Sequence, residues 1–517
     1  METKNWTLTI ENWLWVVLQR VSILQFPVSN FQLQERGITL TMAESGQLAF
    51  GDPPPAGGYS SGKQLAREIF FETMTAIDVR RAMLSKVRRE STVLVAGDVR
   101  FPLLRPPRII AFGKAANRMA AVLVEILGGV VEAGSPEVGR RAVDKVLVEI
   151  LGGAVESGVV VSPSEPVSRL AHCLYFTGGH PYPNLGSLQG AEAALELVSG
   201  LTPDDAVIFL VSGGGSALFE KPLDPTVTLA DLLEFNRVLV TCGLPIEQMN
   251  TLRKHISGVK GGRLGVRAHP AHRLTVFISD VPDHLPSMVA SGPTQADEST
   301  TEDCYLIIEK HGLMAKLPAT IRKRFQERTL EETPKPGDAR LVNSCYFRLL
   351  SNRDAVTAAK AAAEELGFVC EIDKSDWDAD YQRVVLANLA TLDALALAHP
   401  GRPVCAIAGG EVVCPVTGPG IGGRNQAFVL QAATKIAGSH RVVLSAGTDG
   451  RDGNSPASGA VADGQTISRA RALHLDPQQN LAASDSYHFF RALGDTLDIG
   501  FTDNNVRDLR VWLDFGE

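Results

Sequence analysis

The chain has 517 residues, 44% of them apolar and 21% charged, with a formal net charge of −8. That length leaves room for two large domains with sizeable cores, and an acidic balance without a long basic block argues against nucleic acid as a partner. Its seven cysteines are scattered and form no C-x-x-C pair. This pattern excludes a zinc ribbon or a disulfide framework and suits a reducing compartment.

Residues 1–64 differ from the rest. Trp6, Trp13 and Trp15 are three of the five tryptophans. The apolar stretch from Trp13 to Phe26 is interrupted by Gln19, Arg20 and Gln25, too short and too polar to span a bilayer. It lacks the layout of a signal peptide. We expect an N-terminal extension, with Met42 as an alternative start, followed by a Pro/Gly/Ser-rich linker at 51–62.

Between Gln64 and Arg89 apolar residues recur at helical spacing, which predicts one amphipathic helix or a broken pair. The strand Arg108-Ile-Ile-Ala-Phe112 then runs into Gly113 and Lys114. A lysine there stands at the carboxyl edge of a sheet, where open α/β sheets bind ligands. Next comes a duplication: residues 122–134 recur at 146–158 with eleven of thirteen positions identical. We expect the insert near 122–145, on the surface. After the strand Val159-Val-Val161 comes Gly178-Gly-His180-Pro-Tyr-Pro183, where His180 reads as a loop histidine.

The apolar run Val207–Val211 ends at Ser212, Gly213, Gly214, Gly215 and Ser216. Consecutive glycines let backbone N–H groups converge on an anion. Asn250, Arg253, Lys254, Lys260 and Arg263 concentrate cationic and polar groups in fourteen residues, a composition that suits phosphate or carboxylate. The strand Leu274–Ile278 ends at Ser279 and Asp280, placed to hold Mg²⁺ against a bound phosphate.

Residues 331–340 read as a hinge. Beyond it we expect helices at 354–366 and 380–398, then strands at 403–408 and 411–417 starting the latter at Glu411. The loop Gly418–Gly423 spells G-x-G-x-x-G, but Pro419 is atypical and no ribose-binding acid lies about 20 residues on. Arg424, followed by Asn425, suits bidentate capture of a carboxylate or phosphate instead. A last strand, Val442–Ala446, leads to Asp449 and Asp452. These acids suit a metal or a hydroxyl, or form an Asp-Gly turn.

In this order, the blocks Phe-Gly-Lys114-Ala-Ala, Gly-Gly-His180-Pro-Tyr-Pro, Ser212-Gly-Gly-Gly-Ser216, Asn250-Thr-Leu-Arg-Lys-His-Ile-Ser-Gly-Val-Lys260, Ser279-Asp280-Val-Pro, Gly-Gly-Arg424-Asn-Gln and Gly-Thr-Asp449-Gly-Arg-Asp452-Gly resemble the class II glycerate kinases. The resemblance covers about residues 65–512. It implies an α/β protein of two domains: a larger Rossmann-like parallel-sheet domain at 65–330 and a smaller MOFRL domain at 338–517, with the active site in the cleft between them. It also implies ATP- and Mg²⁺-dependent phosphorylation of D-glycerate at its 2-hydroxyl.

On that basis Lys114, Arg424 and Asp449 are expected to be catalytic. Ser212 to Ser216 and Lys260 are expected to bind nucleotide, Asn250, Lys254, Asn425 and Glu411 the substrate, and Asp280 and Asp452 the metal. The expected partners are small molecules, with neither nucleic acid nor membrane, for a cytoplasmic or mitochondrial monomer or homodimer. Two alternatives stay open. The glycine loop admits an NAD(P)H-dependent hydroxypyruvate reductase, a name often given to this family. Departures such as Ala427, where the family carries glutamate, admit a binding protein without turnover. If the duplication is a surface insert, deleting residues 122–145 leaves a soluble, active protein; insoluble expression beside a soluble full-length control refutes it.

Overall fold

A computed structural model describes residues 59–128, 155–282, 285–373 and 378–516, together with two short paired strands, Gln34–Glu35 and Ile38–Thr39. The latter belong to a separate unit, Met1–Gly58. The expected start at Met42 lies outside the described residues. So do residues 129–154, which include the end of the first repeat copy and most of the second.

β-Branched runs form the first sheet. Its strands are β1 (Arg108–Phe112), β2 (Ser157–Ser162), β3 (Cys173–Thr177), β4 (Ala206–Val211), β5 (His272–Ile278) and β6 (Ser344–Leu350). All are parallel, in the order β6-β5-β4-β1-β2-β3. The chain starts in the middle, winds outward through β2 and β3, then returns beside β1 with β4. This is the doubly wound order, and its switch point lies between β1 and β4, where such sheets bind ligands. Alternate residues feed two cores: Ile109, Ala111 and Leu210 on one face, Ile110, Phe112 and Phe209 on the other. The strands are therefore apolar throughout, as burial on both faces requires.

The second sheet is mixed. It contains β7 (Val369–Asp373), β8 (Val404–Ala408), β9 (Arg441–Gly447), β10 (Gly459–Asp463), β11 (Thr496–Leu497) and β12 (Asp508–Asp514), ordered β7-β8-β12-β9-β10-β11. β12 runs antiparallel between β8 and β9, so the carboxyl ends of β8 and β9 meet the start of β12 at one edge.

Several boundaries differ from expectation. The helical stretch breaks at Asp78, whose side chain caps a second helix at Val79–Lys86. The first helix, α1 (Tyr59–Ala76), begins inside the expected linker. Its Ala66, Ile69 and Phe70 pack with Val356, Ile407, Leu444 and Val511 of the second half. β6 lies beyond the expected hinge yet completes the first sheet. Both deviations follow from apolar faces that need a cover supplied only by tertiary packing. No strand forms at 411–417, a stretch that contains Pro415 and makes only one isolated bridge, Val413 to Asp380.

The described start of the expected insert is not at the surface: Val122, Leu123 and Val124 of α2 (Ala116–Ile126) are buried. Since both copies read Val-Leu-Val-Glu-Ile-Leu, the one contiguous with the helix start fills the slot without closing a loop.

Phe70 is fully buried. Phe70→Ala should therefore cost about 3–5 kcal/mol by the usual cavity penalty, read as a lower urea midpoint. An unchanged midpoint would show that α1 is dispensable.

Candidate active site

The ends of β1, β4 and β5 are stitched together. The Lys114 backbone N–H donates to the Gly213 carbonyl at 2.9 Å, and the Ala115 N–H to Ser212 Oγ at 3.0 Å. Gly214 sits at φ +80°, a left-handed conformation that suits glycine. A Cβ on Gly213 would lie 2.5 Å from Asp280 Oδ2, and one on Gly215 2.6 Å from Ala290 Cβ. The glycines thus allow close approach of the protein itself. The Asp280 carboxylate packs directly against Gly213, so an acid of the protein itself already stands at this turn. Burial raises the Asp280 pKa, with Lys114 and the Gly214 N–H pulling the other way.

The second sheet contributes the opposite wall. Lys114 Nζ donates to Asp449 Oδ2 at 2.7 Å, with both side chains about a quarter exposed. Such a half-open pair is worth about 1 kcal/mol at most, so a substrate carboxylate can displace it. Arg424 begins α3 (Arg424–Lys435) and donates to both oxygens of Asp508, at 2.6 and 3.0 Å. It also reaches Glu411 at 2.9 Å. Asp508 is fully buried. Burial would raise its pKa, but Arg424 holds it below the usual range.

Glu411 keeps a third of its side chain exposed, yet desolvation pushes its pKa up to about 7 against the pull of Arg424, with Asp508 and Asp280 adding to the rise. Asp280 and Glu411, from different sheets, are thus close enough to interact electrostatically. Buried Arg510 donates to the Gly409 and Gly410 carbonyls. Asn352 donates to the Val506 and Asp508 carbonyls and accepts from the Gly410 N–H. These contacts fix Glu411 and Asp508 from behind.

The cleft thus brings together Lys114, Asp449, Asp280, Gly213, Gly214, Arg424 and Glu411. Other expected site residues lie outside this group and have partners within the protein. Lys260 is fully buried against Glu220, which also accepts from Ser257. Lys254 pairs with buried Asp297 at 3.0 Å. Asn250 accepts from Ser291, which contacts Ser216 at 2.8 Å. Asn425 accepts from Ser445. Asp452 receives the Asn425 and Gln426 backbone N–H groups at 3.0 and 2.8 Å, capping α3. In each case the group named has a partner inside the protein.

Two cleft residues escaped the sequence reading. Asp508 had no local signal beyond an acid before an alternating strand. His180 had been read as a loop residue. Its ring lies about 3.0 Å from where a Gly214 Cβ would stand. Although partly open to solvent, it is crowded by the cleft, and desolvation with Lys114 nearby lowers its pKa to about 4. It is therefore neutral near pH 7.

The G-x-G-x-x-G loop is also consumed by packing. A Cβ on Gly418 or Gly420 would lie 2.5 or 2.6 Å from the Ala483 carbonyl, and one on Gly423 2.4 Å from the Asp452 backbone. That accounts for the glycines without a dinucleotide. A cavity of about 740 Å³ beside Arg263 and residues 331–338 shares no residue with the cleft. No described helix is long and apolar enough to cross a membrane.

Residues 65–326 match the family model described as a domain of unknown function, DUF4147, and residues 404–508 match the MOFRL family. A D-glycerate 2-kinase of Thermotoga maritima is 34% identical, covering 87% of this chain and 98% of its own. A glycerate 2-kinase of Pyrococcus horikoshii is 30% identical, covering 87% and 96%. The crystal structure of glycerate kinase from Thermotoga maritima superposes with a TM-score of 0.71 at 32% identity, covering 88% of this chain and 100% of that one. With both family segments in order and full-length relatives at this identity, the chain belongs to the class II glycerate kinase family.

Proposed function

We propose that this chain is a glycerate 2-kinase that transfers the terminal phosphoryl group of ATP to the 2-hydroxyl of D-glycerate. The observation that carries the reading is the 2.7 Å contact of Lys114, from the switch point of the first sheet, with Asp449, from the edge of the second. Around it stand the cation Arg424 and the acids Asp280 and Glu411. Phosphoryl transfer asks for positioning and charge neutralisation rather than covalent catalysis, and this cleft offers both.

The new bond joins the glycerate 2-oxygen to the terminal phosphorus. The bond broken is the one from that phosphorus to the oxygen that leaves on ADP. Asp449 accepts the hydroxyl hydrogen bond, orients the nucleophile and takes its proton as the new bond forms. Lys114, released from Asp449 by substrate, neutralises the glycerate carboxylate. Arg424, oriented by Asp508, steadies charge on the phosphoryl oxygens. His180, neutral at the glycine turn, can donate a hydrogen bond without adding charge.

The donor set also fits Mg²⁺. Asp280 is a hard oxygen ligand held at a strand end, and among the described residues no group of three or more His, Cys, Asp or Glu could hold an ion alone. Mg²⁺ is usually held through one or two carboxylates plus substrate phosphates. Asp280 would hold it with Glu411 nearby, and when bound it would offset phosphate charge.

Lys114→Ala and Arg424→Ala should each lower kcat by about a hundredfold or more, the scale of losing one preorganised charge. The assay couples D-glycerate and ATP through enolase and follows phosphoenolpyruvate. Near-normal turnover removes that residue from the mechanism, and NADH oxidation with hydroxypyruvate without ATP would replace the kinase reading.

The pH dependence has a definite sign. Above about pH 7 Glu411 becomes anionic and competes with substrate for Arg424, so kcat/KM should fall as pH rises through that value. Glu411→Gln should flatten this limb, whereas an unchanged profile assigns it to another group.

A further inference from the structure

A second cavity, of about 560 Å³, adjoins the cleft at Arg424, which belongs both to its wall and to the charge cluster. The volume falls within the roughly 300–1,000 Å³ of small-molecule sites. It is far more than a small hydroxy acid fills. Its apolar wall is formed by Tyr381, Val412, Cys414, Pro415, Ala427 and Leu481. Of all the lining side chains only Asp380 and Arg424 carry charge.

The cavity is preformed. The Gly420 N–H donates to the Ala483 carbonyl at 2.9 Å, the Ile421 N–H to Asp485 at 3.0 Å and the Gly422 N–H to Asn454 at 2.8 Å. These bonds clamp the glycine loop to Ala483, Asp485 and Asn454 and leave the space open beside it. The Tyr381 hydroxyl accepts from Gln382 at 3.1 Å and retains its own proton to give.

A large, mostly uncharged pocket with a single cation at its inner end suits a flat neutral group attached to an anionic tail. It does not suit a compact anion, for which the wall beyond Arg424 supplies no second positive charge. A continuous series of groups leads away from that cation: Arg424 contacts Glu411, Glu411 interacts with Asp280, and Asp280 adjoins Gly213 beside Lys114.

We propose that this cavity is the nucleoside subsite of the phosphoryl donor. The base lies against Tyr381, Ala427 and Leu481, and the phosphate tail crosses Arg424 toward Asp280 and Lys114. The assignment rests on the kinase reading and places the base on the second sheet's layer, away from the doubly wound sheet.

Photolabelling of the unmodified protein with azido-ATP tests this directly, followed by peptide mapping. Label should map to peptides containing residues 412–417 or 480–486, and excess ADP should suppress it. Label confined to peptides from the first sheet, around residues 113–118 or 212–219, overturns the assignment, as does no label in a preparation that phosphorylates glycerate. Ala427→Leu fills the wall and should weaken binding of a fluorescent ADP analogue about tenfold, about 1.4 kcal/mol, while KM for D-glycerate stays within about twofold. A rise in the glycerate KM alone would assign the pocket to the acceptor. Correct label without glycerate phosphorylation would sink the kinase reading and leave the nucleoside subsite standing.

Discussion

Asp508 is a fully buried carboxylate at the start of the central strand of the second sheet, and the geometry of the cleft depends on how it is compensated. An ion removed from water costs several kcal/mol unless a partner and hydrogen bonds replace its hydration. Arg424 provides that partner bidentately. The pairing fixes the direction of the guanidinium, which reaches Glu411 and the cavity beyond. Asn352 and Arg510 hold the neighbouring backbone from opposite elements. The pair is thus better understood as an orienting device than as a source of stability.

The two walls of the cleft differ in stiffness for the same physical reason. On the second sheet Arg424 is held by two hydrogen bonds to fully buried Asp508, so moving it would leave an uncompensated buried ion. Lys114, at the switch point of the first sheet, has instead one contact, to Asp449 on the second, and both side chains keep some exposure, so water can replace either partner cheaply. A rigid cation therefore faces an adjustable one. Such a division suits a reaction in which one group grips charge developing on phosphorus while another must let substrate in.

Much of this was legible in the sequence. β-Branched runs ending in small residues marked β1, β4, β5 and β9, and with them Lys114, Gly213, Asp280 and Asp449. A strand end is a local pattern, and parallel strands place their ends on one edge. The partners of Lys254 and Lys260 are not legible in the sequence because they are remote: Asp297 lies 43 residues away and Glu220 lies 40. A cluster of cations reads as an anion site until the buried acids that neutralise it are found, and only the fold brings those together. Asp508 escaped for the converse reason, since its partner, Arg424, is 84 residues distant. The glycine turn was recognised as a nest, but the acid that stands at it, Asp280, could be identified only once β4 and β5 were seen side by side.

The packing of α1 has a consequence for synthesis. This helix emerges from the ribosome before either large sheet, yet its apolar face is covered by β8, β9 and β12, the last of which ends at Asp514. During elongation the doubly wound sheet can assemble while α1 remains without its permanent cover. β12 therefore completes its own sheet and also the burial of the first described helix, so α1 gains its cover only after β12 has been made.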